Sequence, residues 1–313
     1  MLQIIKKVII TLIIVIIIDK IFSYTFTNYI FKKTISGESG GTINYVINKK
    51  SNLDFLIIGP SRAKHGIDPS IITSLGNNGY NLGINGTTVL NSLLILDILV
   101  KNNVKMKTLI VSADLSDYVK ESKEETIDQI KRVYPYDTPL INEYVSKIGN
   151  VEQIKYFFGL YKLNRKILNV SYNFTKRNTV TDNNGYVGLP NMTDKPDVKY
   201  DTENFIYKKD STNVEALKKI KKICDENNIK LIVIFSPSYK NVFYNEIQQK
   251  LMIEDFKKEN INNIIDLSNI NQSPDLLKEE NWRDAIHFNY FGSQKFSKIL
   301  SEEIIKRKIY KNN

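Results

Sequence analysis

The most apolar stretch of the chain is at its beginning. From Val8 to Ile18 only Thr11 interrupts a run of valine, isoleucine and leucine; Asp19 and Lys20 break it, and a mostly apolar, aromatic segment continues to Phe31. Val8 to Ile18 alone is too short for about 30 Å of hydrocarbon, but together with Leu2 to Ile5 or Ile21 to Phe31 it approaches the roughly 20 residues that a membrane helix requires. Residues 1–33 therefore read as a membrane anchor. No small-x-small cleavage site follows the run, which argues against a removed signal peptide. A buried amphipathic helix is the competing reading. Lys6 and Lys7 on one flank and Lys20, Lys32 and Lys33 on the other leave the charge rule nearly silent on orientation. Residues 34–53, with "TISGESGG" at their start, read as a linker.

From Asp54 the pattern changes to short β-branched runs alternating with longer segments of helical period, the signature of a parallel sheet with crossover helices. The strands expected are Asp54 to Ile58, Tyr80 to Leu82, Thr108 to Val111, Lys230 to Phe235 and Asn263 to Asp266. Helices are expected near Val89 to Lys101, Asn213 to Asn227, Val242 to Glu259 and Gly292 to Lys306. This is an α/β three-layer pattern over residues 54–313. Between about 116 and 212 the alternation is lost in a polar, tyrosine-rich segment broken by "YPYDTP" and "DNNGYVGLPN". An insertion of that size in an α/β domain is expected over the carboxyl ends of the strands.

Composition adds little until it is used to exclude. An apolar fraction of 42% over 313 residues supports a large core and argues against disorder. The net charge of +10 is scattered among asparagine and isoleucine instead of being gathered in a block, which speaks against nucleic acid and remains compatible with an anionic envelope polymer or phospholipid. The single cysteine, Cys224, rules out an intrachain disulfide and a cysteine-rich metal site.

Only two histidines, His65 and His287, are available as an imidazole base. His287 follows Asp284 by three residues in "NWRDAIHFNY", a spacing that lets both side chains face one way on a turn, so that the carboxylate can fix the ring tautomer. Ser61 follows the first strand in "FLIIGPSRAKHG", with Gly59 giving the backbone room to turn. Placed there, it would present its hydroxyl at the carboxyl edge of the sheet and its amide to a developing oxyanion; the plainer reading is a helix cap. In "YNLGINGTTVL", the Gly86 amide and the Asn85 carboxamide are donors of the kind an oxyanion hole needs, or else a simple strand-to-helix turn.

Gly59-Pro60-Ser61-Arg62, Gly83 to Gly86, and Asp284-Ala285-Ile286-His287 together resemble the three blocks of the SGNH hydrolase (GDSL-type esterase) superfamily, and they frame the chain from Asp54 to Lys306. The resemblance implies a three-layer, flavodoxin-like parallel sheet, with Ser61 as nucleophile, His287 as base, Asp284 as its partner, and the Ser61 and Gly86 amides receiving the oxyanion; no cofactor or metal is implied. The chain departs from the family where a third block normally supplies an asparagine in G-x-N-D: here "LIVSADLSDY" has Asp114. Since an ionised carboxylate would repel the oxyanion, either Asp114 is protonated, or it serves the substrate, or the donor comes from elsewhere, such as Asn85. An amino-terminal anchor, a G-x-S-R block and a large middle insertion are most similar to the membrane-tethered branch that includes D-alanyl transfer and alginate O-acetylation proteins. That likeness implies a single-pass membrane protein with its domain outside the cell, acting with a membrane-bound O-acyltransferase on short acyl esters of an envelope glycan or teichoic-type polymer. Arg62 would then suit an anionic acceptor, or else pin the helix start as a salt bridge. Two other classes compete: a non-catalytic glycan-binding or scaffolding partner on the same fold, and a metal-dependent phosphoesterase built on Asp114, Asp284 and His287.

Overall fold

The computed structural model describes residues 1–50, 52–119, 122–163, 166–176, 183–191, 205–242 and 244–309. In chain order the elements are α1 (Leu2–Tyr29), α2 (Gly41–Lys49), β1 (Asn52–Ile58), α3 (Ser61–Gly66), β2 (Gly79–Asn81), α4 (Val89–Lys101), β3 (Lys105–Ala113), α5 (Lys123–Lys131), α6 (Pro139–Ile148), α7 (Asn150–Phe157), α8 (Gly159–Lys162), α9 (Ile167–Thr175), α10 (Thr212–Glu226), β4 (Lys230–Phe235), α11 (Glu246–Lys258), β5 (Ile264–Asp266) and α12 (Tyr290–Lys306). They fall into two compact units, Lys50–Ser122 with Thr181–Asn313, and Met1–Lys49 with Lys123–Val180.

The first unit holds the sheet. Its five strands are all parallel in the order β2-β1-β3-β4-β5, with Phe55 opposite Thr108, Val111 opposite Val233 and Phe235 opposite Asp266. Strands covered on both faces have no polar side to show, which is why "FLII" and "LIVIF" read as continuous apolar runs. Phe55, Ile57, Ile110, Ile232 and Ile234 form one core with Ala63 of α3, with Ile67 just after it, and with Phe296, Leu300 and Ile304 of α12. Outside that cluster, α4 and α10 pack on each other and on β3 and β4. The buried Asn213 joins this second layer to the loop after β3, accepting from the Leu90 amide at 2.7 Å and donating to Asp117 O at 2.7 Å. Because β2 and β3 lie on opposite sides of β1, the connections diverge at the carboxyl ends of β1 and β3, where doubly wound sheets bind ligands.

The second unit is helical, and it corrects three sequence expectations. Residues 34–53 are not a linker: they contain α2, whose buried Asn44 donates to Phe31 O at 2.6 Å and to Thr34 O at 3.0 Å, while Tyr136 OH donates to Gly40 O at 2.9 Å. The insertion between 116 and 212 is not one body. Residues 123–176 build this unit with the amino terminus, 183–191 pack into the α/β unit, and 177–182 and 192–204 lie outside the described residues. Finally, among the described residues no helix is long and apolar enough to cross a membrane, so a spanning anchor over 1–33 is not supported.

Asp19 supplies the physical reason for the last point. It is 3% exposed and accepts the Gly159 and Leu160 amides at 2.8 Å each, capping α8, and Lys20 lies over the Phe157 ring at 3.7 Å. Further along, Phe26 and Phe31 share a small core with Leu163 and Val170. From Asp19 onward one side of α1 is therefore packed on protein, through Asp19, Lys20 and Phe26, while Ile21, Phe22, Tyr24 and Tyr29 stay exposed. Most apolar side chains between Leu2 and Ile18 are exposed. The uninterrupted part of that stretch is roughly 16 Å long at about 1.5 Å per residue, against about 30 Å of hydrocarbon.

Candidate active site

β1 delivers the chain into a turn that only glycine accommodates. Gly59 has φ +149°, and a Cβ there would lie 2.6 Å from Ser112 O on β3. Pro60 then caps α3 and Ser61 is its first helical residue, so the serine is not the cap; its hydroxyl instead meets His287 Nε2 at 2.7 Å. As a first-turn residue, Ser61 has an N–H with no intrahelical acceptor.

His287 and Asp284 occupy one short loop. An antiparallel bridge between Trp282 and Phe288 closes it, and Trp282 is fully buried with its Nε1 donating to Leu276 O at 2.8 Å. Arg283 N donates to His287 O at 2.8 Å across the loop. Asp284 Oδ1 accepts the Ile286 and His287 amides at 2.9 and 2.8 Å, and His287 Nδ1 lies 2.9 Å from Asp284 Oδ2. Partial burial would raise the Asp284 pKa, but the hydrogen bond from His287 and the two loop amides outweigh it and hold the carboxyl below its ordinary value. With its proton kept on Nδ1, the ring presents a bare Nε2 to Ser61.

Arg62, next to Ser61, turns inward. It is 5% exposed, pairs with the Asp114 carboxylate, and donates to Ser236 O at 2.7 Å and Pro237 O at 2.5 Å. Of its two sequence roles, the salt bridge at the helix start is the one the structure shows; the guanidinium is not presented to an anionic acceptor. Asp114 likewise faces Arg62 as a buried ion-pair partner. Burial pushes its carboxyl up, opposed by the guanidinium.

The glycine block packs directly on α3. A Cβ on Gly83 would lie 2.4 Å from Lys64 N, so only glycine permits this approach. Asn81 clips the two together: its Nδ2 donates to Ala63 O and Ile67 O at 2.7 Å each, and its Oδ1 accepts Gly83 N at 2.9 Å. Gly86 is exposed with φ +66°, and Asn85 is partly buried. Asn85 Oδ1 lies 3.0 Å from His65 Nε2, while His65 Nδ1 lies 2.7 Å from Val187 O. With Nδ1–H donating to Val187, Nε2 donates to Oδ1 when the ring is charged and accepts from the carboxamide nitrogen when it is neutral. Burial pulls the His65 pKa down, toward the neutral form. Both nitrogens are engaged and the ring stands edge-on to His287 at 6.1 Å, so the imidazole within hydrogen-bond distance of Ser61 is that of His287.

Residues 183–191, from the "DNNGYVGLPN" stretch of the insertion, form a strap at the carboxyl ends of the strands, where the insertion is expected, but sequence patterning does not single out its contacts. Asn184 O accepts Asn81 N at 2.8 Å, Val187 N donates to Lys64 O at 3.2 Å, Leu189 O accepts Tyr290 N at 2.8 Å, and Asn191 O accepts Arg283 Nη1 at 3.0 Å. The strap thus touches β2, the serine helix and both sides of the histidine loop, mostly through backbone groups that leave no mark on side-chain pattern. A cavity of about 680 Å³ lined by Asn52, Asp54, Asn78 and Lys107 lies at the opposite, amino ends of the strands and is no part of this site. Among the described residues no three His, Cys, Asp or Glu side chains are placed to share a metal ion. The arrangement is a serine hydroxyl, an imidazole and a carboxylate in hydrogen-bonded series at the switch point of a parallel sheet. No protein-family model matches the chain, and no curated protein matches it.

Proposed function

We propose that the protein is a serine-dependent acyl-transfer enzyme of the SGNH hydrolase type, an esterase or O-acyltransferase for short acyl esters on cell-envelope polysaccharide. The observation that carries this reading is the series Ser61 Oγ to His287 Nε2 at 2.7 Å and His287 Nδ1 to Asp284 Oδ2 at 2.9 Å. Ser61 Oγ attacks the ester carbonyl as its proton passes to His287 Nε2, and Asp284 stabilises the imidazolium. The oxyanion collects the Ser61 and Gly86 amides. Collapse breaks the ester C–O bond, and the departing alcohol takes the proton from His287. Water or a polymer hydroxyl, deprotonated by the same ring, then resolves the acyl-serine. The strand order β2-β1-β3-β4-β5, which is the flavodoxin-like order, supports the assignment. The exposed apolar residues of α1 favour action at a membrane surface; a place outside the cell beside a membrane-bound O-acyltransferase is what the resemblance to the membrane-tethered branch implies.

The test is intact-mass spectrometry of the protein with p-nitrophenyl acetate, alongside Ser61→Ala. An added acetyl group or ester turnover that disappears in the variant is expected, and it should be insensitive to chelators. An adduct that persists in Ser61→Ala would remove the nucleophile assignment.

A further inference from the structure

The helical unit contains a cavity of about 440 Å³ whose wall includes Lys131, Arg132, Lys162 and Lys166 against one carboxylate, Asp128. Lys166 is the most constrained of these. Its ammonium donates to Lys131 O, the last carbonyl of α5, at 2.5 Å, an arrangement that also favours the helix dipole. An ammonium has three donors, and this bond uses one. Lys131 Nζ stands 5.7 Å from the Tyr161 ring centroid, and Lys162 pairs with Asp137 at 2.9 Å. Among the described residues no carboxylate pairs with Lys131 or Lys166. Burial and the nearby Arg132 pull the Lys166 pKa down to about 7.

A second, independent feature is the position of this cavity relative to α1. Asp19, the first charged residue after the apolar run Val8 to Ile18, caps the first amides of α8, and Lys162 is the last residue of α8, about 4.5 Å further along its axis. The basic wall therefore begins within about one helical turn of the point where the apolar run stops, and lipid chains lying along residues 2–18 would bring their headgroups to that level.

We propose that the cavity between α5, α8 and α9 is a binding site for a phosphate group, the headgroup phosphate of an anionic phospholipid being the source that the nearness of Lys162 to the Asp19 cap favours. The proposal does not rest on the acyl-transfer reading.

The test uses the full chain in mild detergent. Inorganic phosphate should raise the thermal midpoint relative to chloride at matched ionic strength. Lys166→Gln should shift the half-effective phosphate concentration at least ten-fold, Lys166→Arg should restore it, and Lys155→Gln, on an exposed position of α7, should leave it unchanged. Lys131→Gln, whose ammonium makes no hydrogen bond among the described residues, tests the same point if Lys166→Gln fails to fold. Co-sedimentation with phosphatidylcholine vesicles, with and without about one-third phosphatidylglycerol, separates the sources. Binding to the anionic vesicles that weakens at least ten-fold in Lys166→Gln or Lys131→Gln assigns the site to lipid. A variant-sensitive phosphate effect with variant-insensitive vesicle binding assigns it to a soluble phosphate. Neither phosphate protection nor vesicle binding responding to Lys166→Gln and Lys131→Gln would overturn the proposal.

Discussion

Ser61 and Arg62 are adjacent in sequence and have opposite surroundings, a half-exposed hydroxyl held by one imidazole and a buried guanidinium held by one carboxylate and two carbonyls. Different losses follow. Ser61→Ala and His287→Ala should each lower p-nitrophenyl acetate turnover by about 10³-fold or more at unchanged thermal midpoint, with Asp284→Ala costing less; full turnover in Ser61→Ala would sink the mechanism. Arg62→Ala leaves Asp114 uncompensated in the interior and should cost about 3–5 kcal/mol in chemical denaturation, most of it recovered in Arg62→Met/Asp114→Leu. A single-variant cost near zero would show that the pair is hydrated. Asp284 makes the pH dependence readable. Its folded pKa is depressed, so its stabilisation is present above the ordinary carboxylate value of 3.8 and is lost as pH falls through the folded value. The gap in thermal midpoint between wild type and Asp284→Asn should be open near about pH 6 and closed by about pH 2. At this scale the sequence pointed to Ser61, Asp284 and His287, which the structure brings together, because serine after a strand and D-x-x-H carry chemistry in their spacing. It left Arg62 with two roles, since burial is not a property of a dipeptide.

Elements were legible where packing imposes a period. The helix expected from Val89 to Lys101 is found at those bounds, and the strands lie within a few residues of their expected places, because a sheet covered on both faces demands unbroken apolar runs. What sequence patterning missed depends on partners far away in the chain. Glycine and serine in "TISGESGG" suggested a linker, but α2 behind them is secured by Asn44 and Tyr136, and the strap at 183–191 is held largely by backbone bonds. Asp19, which read as a break in an anchor, is an amino-terminal cap for α8. Asp19→Ala should therefore destabilise the helical unit by about 1–2 kcal/mol, measured as faster amide exchange at Gly159 and Leu160, with Asp19→Asn recovering part of it. Unchanged exchange at those two amides would remove the capping role.

Over the whole molecule, residues 1–18 are the part of α1 that the helical unit does not engage. A chain beginning after Ile18 should remain folded, need no detergent and keep the ester turnover of the full protein; aggregation of that chain would show that the apolar run is buried in the native state. Composition bounded the size of the core and spoke against a nucleic-acid partner. It could not reveal that two units share the chain, because each is assembled from separated segments whose hydrophobic periods look local.

The Asp19 cap has a consequence for the order of synthesis. The carboxylate and the amides it holds are 140 residues apart, so a ribosome adding about 5–20 residues per second delivers the partner roughly 7–28 s after the helix that carries the acid. For that interval α1 is an apolar helix with no protein surface to join. The nascent chain is thus most open to capture by a bilayer or a chaperone before its sheet has been made, and the time at which residues 150–160 emerge sets when that window closes.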